Sequence, residues 1–377
     1  MKYVAIYDTK EHKEENRKYV LSATNKIDYI CKVLCGINEK VEIISLSRTQ
    51  NNKFYKGRKD ELPFGTLLNF ATIPGGNPIF RRMSVKFAQI QLFLYLLNNT
   101  KKDEEILIYH SVGYGNAIAF AKKIKNFKII LEVEEIYQDV KSLGKRKNKR
   151  EYRDFKIADK YIFPTELLNK KINAENKPYC VIHGTYQIEE EKNVSFGDNK
   201  IHVVYAGTLE PRKGSAAAVT ATEWLPEKYH IHILGFGSEK QIENIKKQID
   251  VSNNKSKATV TYDGLLSGEE YIEFLQKCHI GLSPQNPDAE FNATSFPSKI
   301  LSYMANGLRV VSIKIPAIET SGIGTDLYYY EKQTPEEIAK AIMKIDLEDG
   351  YDGRKIVSEL DCRFSQDMRH LLKRRKK

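Results

Sequence analysis

Short apolar runs of strand length alternate with stretches of helical periodicity along almost the whole chain, the pattern of βαβ units and parallel sheets. In the first half such runs lie at Tyr3 to Tyr7, Val41 to Ser45, Ile106 to Tyr109, Lys128 to Val133, Lys160 to Phe163 and Tyr179 to Ile182. Helical spacing falls between them, for example over Asn25 to Leu34 and Met83 to Leu97. A second series starts at Ile201 to Ala206 and continues through His230 to Leu234, Ala258 to Tyr262, Ile280 to Ser283 and Val310 to Ile313. The predicted fold class is α/β: two facing Rossmann-like doubly wound domains, with their strand C-termini toward a shared cleft. Residues 1–186 make the first domain, 187–200 a linker and 201–350 the second domain, while 351–377 is a basic helical segment expected to cross back. One stretch breaks the pattern. Arg48 to Pro78 is polar, contains Pro74-Gly75-Gly76 and reads as a long functional loop.

Composition narrows the picture. A chain of 377 residues with 41% apolar and 29% charged residues is globular and long enough for two cores. Met1-Lys2 runs directly into strand-like YVAIY, so no targeting segment is expected. The longest apolar run, Phe87 to Leu97, is interrupted by Gln89 and Gln91 and is too short to span a bilayer. Five cysteines without a CxxC pair point to reduced thiols rather than disulfides or zinc, and hence to the cytoplasm. The net charge of +11 calls for an anionic partner. Two basic runs, Lys141 to Arg150 and Arg369 to Lys377, carry no interleaved aromatics and no nucleic-acid motif, so nucleic acid is not expected. They suit an anionic membrane face, or simply a solvated surface.

Candidate chemistry concentrates in the second series. In FNATSFPSKILSYMANG, from Phe291 to Gly307, Pro297 sits where a helix begins and its missing amide costs nothing. The amides of Ser298 and Lys299, the Ser298 hydroxyl and the Lys299 ammonium then converge on the positive end of that helix, a place for an anion. An ordinary capped helix is the plainer alternative. Upstream, the strand at Tyr205 ends in Gly207 and Thr208 and delivers Arg212 and Lys213 before the next helix. Gly207 lets a ligand approach the backbone, and Lys213 is placed to neutralise a diphosphate. The order is not that of a P-loop.

Taken together, G-x-L-x-x-x-K-G from Gly207, G-x-G-x-E from Gly235, the glycine loop at Gly264 and F-P-S-K-I-L-x-Y-M-A-x-G from Phe296 resemble the nucleotide-binding domain of GT-B glycosyltransferases. The likeness is to the GT4-like family of bacterial polysaccharide enzymes and is best over residues 200–345. It implies sugar transfer from a nucleotide-diphosphate sugar to a hydroxyl of a glycan or lipid-linked oligosaccharide in cell-surface polysaccharide synthesis, with no cofactor and no metal required in principle, since cations and helix-end amides hold the diphosphate. The donor site implied comprises Gly207, Thr208, Arg212, Lys213, Gly235, Ser295, Ser298, Lys299 and Ile300, with Gly264, Leu265 and Leu266 near the base. Where such enzymes often carry two glutamates eight positions apart, this chain has Thr294 and Ser302, and Asp288 and Glu290 stand nearby as replacement acids. In the first half, His110 at a strand end resembles the histidine beside the transferred sugar. Glu134 is then a candidate base, and Glu132 and Lys26 candidates for the acceptor. Retention of anomeric configuration is the family expectation.

Three other readings remain. Gly113-Tyr114-Gly115, followed by Glu132 and Glu134, approaches a dinucleotide fingerprint, although Ile118 replaces the third small residue. A nucleotide-sugar epimerase shares the architecture. A non-catalytic binding protein fits Thr294 and Ser302.

Overall fold

The computed structural model describes the chain except Lys10, residues 138–144, Glu290, Phe291, Ala293 and residues 374–377, and describes only the backbone of 145–148. The chain forms two compact units: Met1–Pro164 with Leu168–Ile182 and Phe364–Lys377, and Thr165–Leu167 with His183–Arg363. The segment 187–200 therefore counts with the second unit.

The first unit is built on an eight-stranded sheet. Its strands are β1 (Lys2–Ala5), β3 (Val41–Ser45), β5 (Arg58–Leu62), β6 (Gly65–Asn69), β7 (Glu105–Tyr109), β8 (Lys128–Glu132), β9 (Lys160–Phe163) and β10 (Tyr179–Val181); a separate pair joins β2 (Arg17–Lys18) to β4 (Arg48–Thr49). The order is β10-β9-β8-β7-β1-β3-β6-β5, parallel except for β5. Central strands such as β8 (KIILE) are apolar because both faces are covered. On one side, the helices Pro78–Asn99 and Gly115–Lys125 press Leu92, Leu96, Ile118 and Ala121 onto Val4, Ile106, Ile108 and Ile129.

The expected loop from Arg48 to Pro78 is interrupted by strands β5 and β6, with irregular chain on either side of them. β5 and β6 form a hairpin closed by Pro63-Phe64, and β6 lies parallel to β3. The polarity of β5 suggests solvent, but Arg58 is held by Asp8 at 2.9 Å, Glu15 at 2.6 Å and Asp60 at 2.7 Å. An edge strand tolerates such charges.

The second unit holds a six-stranded parallel sheet of β11 (Ile201–Thr208), β12 (Tyr229–Phe236), β13 (Thr259–Gly264), β14 (Ile280–Ser283), β15 (Arg309–Ile313) and β16 (Tyr328–Tyr330). Its order, β13-β12-β11-β14-β15-β16, reverses direction between β11 and β14. A crevice opens outside the carboxyl ends of strands at such a reversal, which is where doubly wound sheets take ligands. β16 escapes sequence reading because three tyrosines at an edge carry no alternation. The last helix, Gly353–Leu372, buries Val357, Leu360, Phe364, Met368 and Leu371 along one stripe. Its residues from Phe364 belong to the first unit, where Phe364 stacks on Tyr29 at 6.0 Å. Among the described residues no helix is long and apolar enough to cross a membrane.

Candidate functional site

The reversal point of the second sheet is built by two glycines and two lysines. Gly207 and Gly235 are paired in register at the ends of β11 and β12. Gly235 has φ 153°, and a Cβ there would stand 1.8 Å from the Gly207 carbonyl oxygen, so the two strands approach only because it is glycine. A Cβ on Gly207 would meet the Lys299 ammonium at 3.0 Å. Residues two apart on a strand share a face, so Tyr205 flanks the space that Gly207 leaves open. The Lys299 Nζ lies there, 3.9 Å from the centroid of the Tyr205 ring.

Lys299 opens the helix Lys299–Ala305, which follows Ser298 in helical conformation. Among the described residues no carboxylate lies within ion-pair distance of it. Burial, with Lys213 adding repulsion, pushes its ammonium down from 10.5 to about 7. The site thus holds cationic potential that a polyanion would relieve. Lys213 ends the short 3-10 turn Pro211–Lys213, and Gly214 after it has φ 85° and no room for a Cβ beside the Pro284 carbonyl. This close approach brings the loops after β11 and β14 together.

The other expected residues fall around this pair unevenly. Thr208 ends β11 and its carbonyl accepts from the Tyr205 hydroxyl at 2.7 Å. Arg212 is exposed and lies 3.3 Å from Glu210, so the cation beside Lys299 is Lys213. Ser298 is exposed at the helix start, whereas Ile300 is in the core with its amide bonded to the Pro297 carbonyl at 3.1 Å. The Ser295 hydroxyl is buried without a hydrogen-bond partner among the described residues. Thr294 is buried and its carbonyl accepts from Thr165 at 2.7 Å; the Ser302 hydroxyl lies 3.4 Å from that of Tyr271. Asp288 occupies an exposed turn, and Glu290 lies outside the described residues. Gly264, at φ 81°, ends β13 and leads to the exposed Leu265 and half-buried Leu266.

In the first unit, the expected residues form a separate buried network. Lys26 bonds Glu134, approaches Glu132 at 4.0 Å and donates to the Ile182 carbonyl at 3.3 Å. Glu132, expected to meet acceptor hydroxyls, has no exposed surface; it accepts from the Tyr3 hydroxyl instead. Burial raises its carboxyl well above the usual range despite Lys26. Glu134 keeps exposed surface and is the member of the pair open to solvent. His110, expected to face a ligand, is 2% exposed, its ring stacked on Tyr137 at 5.0 Å and against Phe155 at 4.9 Å. Its Nε2 is 3.6 Å from Glu151, and burial lowers its pKa to about 4. The dinucleotide reading meets an obstacle here. A Cβ on Gly115 would stand 1.8 Å from Asp154 Oδ2, so that glycine makes room for a carboxylate, not a pyrophosphate.

Sequence reasoning missed Tyr205 and Tyr303. The Tyr303 hydroxyl accepts from the Ala206 amide at 2.7 Å and so ties the lysine-bearing helix to β11. Alternation on β11, with Tyr205 two residues before Gly207, was the available signal for the first. Among the described residues no group of three or more His, Cys, Asp or Glu side chains is arranged to hold a metal. The basic runs at Lys141 to Arg150 and Arg369 to Lys377 lie partly outside the described residues.

The model of the family described as "Glycosyl transferases group 1" matches residues 200–346. No curated protein matches the chain. Among solved structures, the trehalose-6-phosphate protein from E. coli bound with UDP-2-fluoro glucose is 11% identical, covering 98% of this chain and 99% of its own, with TM-score 0.68. The α,α-trehalose 6-phosphate synthase from Burkholderia multivorans is 8% identical, covering 98% and 96%, with TM-score 0.67. Anabaena Alr3699/HepE in complex with UDP and glucose is 13% identical, covering 97% and 94%, with TM-score 0.60. At such identities the likeness is one of fold, shared over nearly the whole chain.

Proposed function

We propose that this chain is a glycosyltransferase moving a sugar from a nucleotide-diphosphate donor to a hydroxyl of a glycan or lipid-linked oligosaccharide, in cell-surface polysaccharide synthesis. The observation that carries this reading is the Lys299 ammonium, held over Tyr205 beside Lys213 at the reversal point of the second sheet. In this reading the second unit takes the donor. Gly207 leaves its diphosphate room, and Lys213, Lys299 and the amides of Ser298 and Lys299 receive the charge that grows on the departing diphosphate. That neutralisation needs no metal. Gly264, Leu265 and Leu266 meet the base. The first unit takes the acceptor, with Glu134 as the reachable base and Lys26 fixing it.

The family match over residues 200–346 supports the donor assignment, and the UDP-containing ligands of the E. coli and Anabaena proteins make UDP the first nucleotide to test. Retention of configuration is part of the proposal. Its support is the fold likeness to a trehalose-6-phosphate synthase whose glycosyltransfer with retention has been analysed. A second reading, sugar-nucleotide binding without turnover, is favoured by one observation: Ser302, at the position of a ribose-binding acid, neighbours the Tyr271 hydroxyl.

Thermal unfolding with UDP, UDP-sugars and NAD separates these. Protection by UDP or a UDP-sugar, lost in Lys299→Met, is the expected result, with hydrolysis or transfer of the sugar nucleotide as the sign of catalysis. Protection by NAD alone would refute the assignment, and UDP protection with no turnover over a panel of acceptors would establish the binding protein.

A further inference from the structure

The helix Pro78–Asn99 of the first unit is apolar on two opposite sides. Ala88, Leu92 and Leu96 enter the core. Two residues further along a helix is a rotation of about 200°, and there stand Ile90 and Leu94, continued toward the start of the helix by Met83 and Ile79. These four are 50–68% exposed. A surface helix of this kind normally shows polar residues outward; a helix apolar all round expects a second covering. The helix Gly115–Lys125 packs beside it and exposes Phe120 and Ile124 at 62% and 63%, one helical turn apart. Neighbouring helices on the same side of the sheet thus present large apolar side chains outward, the mark of an interaction surface.

Charge says what covers it. The two helices contain six cations, Arg81, Arg82, Lys86, Lys122, Lys123 and Lys125, and not one acid. Lys122 is used by Asp159; among the described residues, the other five pair with no carboxylate. Apolar side chains interleaved with unpaired cations match a surface that is anionic outside and hydrocarbon beneath. They mismatch a second copy of the same face, where like charges would meet across a two-fold axis.

We propose that the outward face of these two helices docks the protein on an anionic lipid bilayer. Ile79, Met83, Ile90, Leu94, Phe120 and Ile124 enter the headgroup boundary, while Arg81, Arg82, Lys86 and Lys123 meet lipid phosphates. This face is distinct from the two basic runs of the sequence, and its docking does not depend on what the second unit binds.

The test is flotation of the full chain with vesicles of equal parts phosphatidylglycerol and phosphatidylcholine, beside pure phosphatidylcholine. Binding is expected only to the anionic vesicles, falling as salt is raised. The triple variant Ile90→Ser, Phe120→Ser, Ile124→Ser should bind at least about tenfold more weakly at unchanged melting temperature. Should that variant melt early, Arg82→Glu with Lys86→Glu and Lys123→Glu tests the face through charge alone, with the same expected loss. The proposal is overturned if the wild type ignores anionic vesicles or if the correctly folded variants bind as it does. It is equally overturned if light scattering shows a dimer that the triple variant converts to monomer.

Discussion

Lys299 holds its ammonium 3.9 Å from the centre of the Tyr205 ring, at the one place on β11 where Gly207 offers no side chain to exclude it. The aromatic face offsets part of the cost of burying that charge, and Lys213 adds to the cost. A site so arranged is more stable with an anion than without one.

Lys299→Met keeps the length of the stem and deletes the charge. The unliganded protein should gain about 1 kcal/mol in stability near neutral pH, read by urea unfolding, while UDP protection disappears. The pH dependence follows from a folded value of about 7 against 10.5 unfolded. Between these values the unfolded chain binds more protons, so stability of the unliganded wild type rises with pH there. Affinity for UDP is expected to move the other way, full below pH 7 and falling by up to about tenfold per pH unit above it, because only the charged form of Lys299 attracts phosphate. Lys299→Arg should flatten this profile, measured by calorimetry.

The two glycines at the strand ends should respond differently. Gly235→Ala drives a Cβ into the Gly207 carbonyl at 1.8 Å, and should cost at least about 2 kcal/mol of stability. Gly207→Ala, at φ 159°, carries backbone strain, but its nearest neighbours are the flexible end of Lys299 at 3.0 Å and the Tyr205 hydroxyl at 3.4 Å rather than backbone. It should cost less stability than Gly235→Ala, yet weaken UDP binding by displacing the ammonium. Equal loss of stability in both would contradict this account.

His110 is buried neutral, with a value near 4 against 6.5 unfolded. In that window the unfolded chain takes up the proton first, so stability is lost as pH falls from 6.5 through 4, by up to about 3 kcal/mol. His110→Gln should remove that part of the acid dependence, followed by thermal melts across pH.

Glu132 behaves in the opposite sense, since burial raises its carboxyl. Its neutral form supports the fold at low pH, and that support is lost as pH rises from its unfolded value through the raised one. Glu132→Gln keeps a neutral side chain of the same shape and should stay within about 1 kcal/mol of wild type at neutral pH. Glu134→Gln, by contrast, should lower transfer.

Much of the fold was legible in the chain itself. The parallel strands announced themselves because both faces of a central strand are covered, which forces continuous apolar runs such as KIILE. β5 did not. Its Arg58, Asp60 and Glu61 look solvated in sequence, and only the acids that meet Arg58, Asp8 and Glu15, some forty to fifty residues away, make the strand possible. Likewise the glycines and the two lysines of the candidate site stood out by spacing and local turn chemistry.

By itself, then, the sequence determined the alternation of strands and helices, the glycine turns and the residues near the reversal point, because each depends on neighbours within a few positions. Tertiary structure alone decided what those residues experience. Lys299 lies over Tyr205, Glu132 and His110 are sealed from solvent, and Ile90 and Phe120 face outward, and none of this follows from local pattern. Burial, acidity and exposure are set by atoms brought from distant parts of the chain, and the electrostatic and hydrophobic energies that give a side chain its function depend on just those atoms.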